Sequence, residues 1–161
     1  MPGDVYKPAR QLIHLLVDIV AKGGNFLVNI GPDPLGELPR ESLERLEEIG
    51  RWMDVNGAAI YRTRPVRPYR EGNLCYVRRA DGSIAAISLA GEKLEVIPQA
   101  ITLTSIRPRR GSRVSMLGVQ EPLAWESTPA GTVVHLPGHV REHPPCQHAW
   151  ALVLEEPEST P

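Results

Sequence analysis

Apolar residues change their period twice along this chain, and each change marks a different kind of element. From Ala9 to Lys22 nothing breaks a helix until Gly23-Gly24, and Pro8 suits the first helical position, where its missing N–H costs nothing. Leu12, Leu15, Leu16, Ile19 and Val20 keep helical spacing. Gln11, His14, Asp18 and Lys22 fall on another line, which predicts a solvent side on which Asp18 pairs with Lys22 one turn on. The period then disappears: Phe26, Leu27, Val28 and Ile30 form an apolar run broken only by Asn29 and bounded by glycines. That is how a strand buried on both faces reads, so residues 25–30 are predicted as such a strand. The turn-rich GPDPLG follows, and Leu38-Pro39 opens a second helix running to about Val55, where Asn56-Gly57 ends it. Leu43, Leu46, Ile49 and Met53 predict its buried stripe, and Glu41, Glu44, Glu47 and Glu48 lie mostly off it.

From Thr63 the pattern changes again. RTRPVRPYREG is dense in punctuation and reads as a linker, and no helical period resumes after it. Residues 74–79, 84–89, 94–97, 101–103, 114–117, 123–126, 132–136 and 149–154 read as short strands between turn signals, with Ala80-Asp81-Gly82-Ser83 the clearest hairpin. About eight strands in so short a span predict two antiparallel sheets packed face to face, with Trp125 and Trp150 in the core or at its rim. Residues 155–161 are expected to fray. The expected division is therefore 1–62, an α/β fragment, and 63–161, an all-β sandwich with enough strands to bury its own core.

A lone strand cannot make a sheet. Burying four large side chains contributes about 1.5 to 3 kcal/mol each, and exposing one face would forfeit an amount comparable to a typical net stability of about 5 to 15 kcal/mol. Helix, strand and helix at 1–62 thus read as the end of something larger, in the order of a parallel α/β sheet or barrel.

Charge and composition add exclusions. With 161 residues, a net charge of −1 and a pI near 6.5, the whole-molecule field offers no attraction for nucleic acid or an anionic membrane. No apolar run reaches the roughly 18 to 20 residues of a membrane span. Met1-Pro2-Gly3-Asp4 lacks the basic and then apolar start of a signal peptide, so no address is expected within these residues. Cys75 and Cys146 are too few for a disulfide framework, and whether they pair is open.

YKPARQLIHLLVDIVAKGGNFLVNIGPDPLGELP followed by ERLEEIGRWMDVNGAAIYRTRP resembles the C-terminal end of an α-L-fucosidase catalytic barrel. Met116-Leu117-Gly118, the LAW of residues 123–125 and CQHAW near the end resemble that family's C-terminal β-sandwich. The resemblance implies that residues 25–30 close a (β/α)8-type barrel and that the second helix packs outside it. It implies removal of terminal α-L-fucose from glycoconjugates by a retaining hydrolase, through a covalent glycosyl-enzyme intermediate and without metal or organic cofactor. It also implies that the nucleophilic Asp, the acid/base Glu and the His and Trp residues that hold fucose lie upstream of Tyr6, leaving this chain without catalytic groups and inactive alone. Leu35 where the family often has Asp, Ala58 where it has Glu and Arg62 where it has Gly are departures that touch no catalytic role.

Each candidate site has a plain alternative. A retaining glycosidase needs two carboxyl groups about 5 to 5.5 Å apart, and ligands meet a barrel at the C-terminal ends of its strands. Asn29 and Asp33 are therefore expected to border the pocket, although a turn between prolines accounts for Asp33 more simply. His135, His139, His143 and His148 with Cys146 resemble zinc ligands in composition. Their spacing argues against a metal, because Pro137, Gly138, Pro144 and Pro145 preclude a helix that would align them. Arg62, Arg64, Arg67 and Arg70, and Arg107, Arg109, Arg110 and Arg113, are read as solvated runs that pair with acids. The expected partners are an upstream barrel segment, from the same gene or a separate chain, a fucosylated glycan in the complete enzyme, and a second copy of the chain by self-association. The rival reading is a non-catalytic carbohydrate-binding or interaction sandwich. It requires exposed aromatics on one sheet face, whereas buried Trp125 and Trp150 favour a scaffold.

Overall fold

The computed structural model describes residues 6–91, 96–155 and 157, and its described residues form three layers. The first is a pair of helices, α1 (Ala9–Ala21) and α2 (Arg40–Asn56). The second is a five-stranded sheet in the order β1-β2-β3-β8-β5, and the third a three-stranded sheet in the order β4-β7-β6. The strands are β1 (Arg64–Glu71), β2 (Leu74–Arg78), β3 (Ile84–Leu89), β4 (Ala100–Leu103), β5 (Val114–Met116), β6 (Trp125–Thr128), β7 (Gly131–His135) and β8 (Ala149–Leu154). All their pairings are antiparallel.

Side chains alternate across a strand, and here both faces of the central strands are covered. Tyr76, Ile84, Ala86, Trp150 and Leu152 pack toward the three-stranded sheet, on Leu103 and Val134. Cys75, Val77, Ala85, Ile87, Ala149 and Ala151 pack the other way, on Ile13, Val17, Ala21 and Trp52 of the helices. Every residue of β3 and β8 is consequently buried. The strands after residue 62 do not bury their whole core between themselves, because α1 and α2 cover one face of the larger sheet. Glu71 ties the two sheets together: its carboxylate accepts hydrogen bonds from Tyr76 Oη (2.6 Å), Thr104 Oγ1 (2.7 Å) and Ser105 Oγ. Burial, and then this bond, push the Tyr76 phenol well above its ordinary value.

Several expectations about the elements need correction. The RTRPVRPYREG stretch is not a linker but the edge strand β1. An edge tolerates Pro65 and Pro68 because one side of the strand needs no donors, and its register shifts between Pro65 and Arg70. A five-residue helix, α3 (Gly138–Glu142), forms in the region read as helix-free, with Pro137 at its N-cap. The expected strand at 94–97 lies partly outside the described residues, and Val96 and Ile97 belong to no strand. Residues 25–30 form no strand among the described residues, and Leu27 is 81% exposed. A strand needs a neighbour to bond to, and among the described residues none lies beside it. The stretch expected to fray, 155–161, lies outside the described residues apart from Glu155 and Pro157, and Pro157 bridges to Pro108.

The helices turn unexpected faces inward. Ala9, Ile13, Val17 and Ala21 are the buried positions of α1, and Asp18, expected in solvent, is part-buried and bonded to Arg70 of β1 (3.0 Å) and to Lys22 (2.5 Å). On α2 the buried positions are Ser42, Trp52 and Asn56, while Leu43 and Leu46, expected inside, are about 40% exposed.

Candidate functional site

The apolar stripes turned away from the sheet define a groove. Leu12 and Leu15 of α1, Phe26 and Val28 of the segment between the helices, and Leu46 and Ile49 of α2 line an open cavity of about 320 Å³. Asn29 reaches it with Lys7 and Arg45, and no carboxylate lines it among the described residues. Asp33 stands outside, holding its own turn: Oδ1 accepts from the Leu35 and Glu37 amides (2.8 and 2.9 Å), and the Asp33 amide donates to the Glu37 carbonyl (2.8 Å). Asn29 and Asp33 are therefore not gathered into one constellation, and the groove cannot position the two carboxyl groups that glycoside cleavage requires. Its chemistry is that of an apolar contact face.

The histidines do not converge either. His135 pairs with Glu126 (3.1 Å), and His139 stands 4.0 Å from Glu121. His143 is exposed, and His148 is buried against Glu48 (2.6 Å). Among the described residues no three His, Cys, Asp or Glu side chains are grouped to hold a metal. Cys75 and Cys146 are free thiols. Burial pushes Cys75 up to about 11 and raises Cys146 as well, despite a hydrogen bond to Cys146 from Asn56. Of the arginine runs, Arg70 pairs with Asp18 and Arg113 stands 3.8 Å from Glu155.

The tryptophans fill interior positions. Trp150 is 1% exposed, with its indole N–H on the Cys146 carbonyl (2.9 Å). Trp125 is part-buried against the inter-sheet core and bonded to the Ser112 carbonyl (3.1 Å). Neither offers a sugar-stacking platform, which weighs against the rival reading as a carbohydrate-binding sandwich.

The model of the α-L-fucosidase C-terminal domain matches residues 70–155, more than half of the chain, and that of α-L-fucosidase matches residues 2–58. The chain belongs to the α-L-fucosidase family. It is 34% identical over 158 residues to an α-L-fucosidase of Branchiostoma floridae, covering 93% of this chain and 33% of that protein. It is likewise 34% identical over 157 residues to the plasma α-L-fucosidase of Rattus norvegicus, covering 94% and 33%. The chain thus spans about a third of the length of these curated relatives. Among solved structures it resembles the Thermotoga maritima α-fucosidase in complex with a mechanism-based inhibitor, at a TM-score of 0.77 and 25% identity, covering 92% of this chain and 34% of that one. The helices and the segment between them are accordingly a fragment of the family's barrel, and the two sheets are its C-terminal β-sandwich.

Sequence reasoning missed the polar side chains that join these two parts. Glu48, Trp52 and Asn56 recur at four-residue intervals on α2, a regular line that the leucine stripe beside it obscured.

Proposed function

We propose that this chain supplies the last helix, strand and helix of an α-L-fucosidase barrel together with its supporting sandwich. The division falls at 1–62 and 63–161. The rest of the barrel brings the nucleophilic and acid/base carboxyl groups that remove terminal α-L-fucose from glycoconjugates by a retaining mechanism. One observation carries this reading: residues 25–30 are apolar and form no strand among the described residues, between two helices whose leucines face the same groove. On docking, that segment would gain strand neighbours, Asn29 would stand beside the sugar pocket and Asp33 would hold the loop at its border. Neither a metal nor an organic cofactor has a part in this chemistry, and nucleic acid and membranes are not partners.

The test is complementation. The chain alone should not hydrolyse an aryl α-L-fucoside. Adding the remaining two thirds of a related α-L-fucosidase, inactive without its C-terminal third, should restore turnover, and Leu46→Glu should abolish the restoration. Turnover by the chain alone, or an association that Leu46→Glu leaves intact, would sink the proposal.

A further inference from the structure

Five residues before and into β8, 146–150, receive side chains from both helices. From α1, His14 Nε2 donates to the His148 carbonyl (2.8 Å). From α2, Glu48 Oε1 accepts from His148 Nε2 (2.6 Å), Trp52 Nε1 donates to the Ala149 carbonyl (2.9 Å), and Asn56 Nδ2 donates to Cys146 Sγ (3.2 Å). The three α2 groups are spaced four apart and so lie along one line of the helix. That line stands roughly a third of a turn round the helix from the Leu43, Leu46, Ile49 and Met53 stripe, at about 3.6 residues per turn.

The receiving segment is itself fixed. Cys146 Sγ donates to the Ala149 carbonyl (3.2 Å), Trp150 Nε1 to the Cys146 carbonyl (2.9 Å), and the Ala90 amide to the His148 carbonyl (2.8 Å). His148 takes a φ of 72°, a left-handed conformation that its buried bonds hold in place. The backbone of the turn after β5 closes against the same place: Gly118 has a φ of 83°, and a Cβ there would lie 2.6 Å from Pro145 Cβ and 2.9 Å from Val55 Cγ1 of α2. Only glycine fits that gap and that conformation together.

We infer that residues 146–150 are a latch through which the sandwich holds α1 and α2 in their docking arrangement before any further barrel is present. The groove would then be preformed rather than created on association. Polar bonds suit this task because they fix direction, whereas the apolar contacts of Ile13, Val17 and Trp52 with the sheet would tolerate rotation of the helices. A partner meeting a preformed face loses less freedom on binding. The use of the face rests on the proposed function, but the latch does not.

Amide hydrogen exchange on the whole chain, with no barrel segment added, tests it. Glu48→Ala should raise exchange in the second half of α2 about tenfold, the scale expected for losing a hydrogen bond to a charged group. Amides of β3 and β8 should keep their protection. Glu48→Gln, which retains a carbonyl acceptor, should restore most of it, and Trp52→Phe should loosen the same amides independently. Unchanged exchange in α2, or an equal rise throughout the chain, would overturn the latch. Neither result would bear on whether the groove binds a barrel, which complementation reads separately.

Discussion

The central sheet and the helical pair meet opposite fates although both are built from apolar residues. β2, β3 and β8 have one face on the three-stranded sheet and the other on α1 and α2, so their successive residues are almost all buried. The helices have one face only: Ile13, Val17 and Trp52 are covered, while Leu15 and Leu46 remain 37% and 40% exposed, and Leu27 in the segment between the helices is 81% exposed. Since burying such side chains stabilises by about 1.5 to 3 kcal/mol each, a sequence that places them in solvent forgoes a gain it could have had. Such an apolar patch marks a contact site, here a barrel in which this chain has a share. The sandwich is finished only because the helices finish it, and the helices are left half-finished in turn.

Removing residues 1–62 should break the contrast most severely. It would bare Cys75, Val77, Ala85, Ile87, Ala149 and Ala151, which the helices now cover. The shortened chain should unfold at a much lower denaturant midpoint and bind an apolar dye, at a cost of about 1.5 to 3 kcal/mol for each large side chain bared. A monomeric truncated sandwich with an unchanged midpoint would show that the helices are passengers.

A smaller effect comes from the ion pair that fastens α1 to β1. Burial pushes the Asp18 carboxyl up, but hydrogen bonds from Lys22 and Arg70 outweigh it and hold the group below its ordinary value. A carboxylate lowered by folding stabilises above its unfolded pKa of about 3.9. That contribution is lost as pH falls through the folded value. Asp18→Asn should therefore cost about 0.5 to 1 kcal/mol near neutral pH, the range of a partly exposed pair. The difference from the unaltered chain should vanish in acid, as urea titrations across the acid range would register. A cost that persists at low pH would assign it to packing instead.

The smallest effect on stability should come from the bare face. Leu46→Gln should change the unfolding free energy by less than about 0.5 kcal/mol. It should nevertheless weaken any self-association, because exposed apolar surface drives copies together. Light scattering over a range of concentrations would read the second effect and urea unfolding the first. A large loss of stability would mean that Leu46 already has a buried partner.

The sequence by itself determined the elements whose signals are local. Gly23-Gly24 and Asn56-Gly57 stop the two helices, which end at Ala21 and Asn56, and β3 and β8 run over the expected residues, because breakers and short apolar runs act within a few positions. The long ordered resemblance of YKPARQLIHLLVDIVAKGGNFLVNIGP also carried the family, which residue spacing alone could not have done. Position on an edge was not readable, so β1 looked like a linker with its prolines. The orientation of each helix was not readable either. Leu43 and Leu46 announce an apolar face with regular spacing, but spacing cannot say whether the surface that covers it belongs to this chain. For the same reason His148 read only as one of four histidines whose spacing argues against a metal and Glu48 as an acid off the buried stripe, when tertiary structure makes them one bonded pair. Their 100-residue separation leaves no local trace, and only the packing of α2 on the sheet brings them within 2.6 Å.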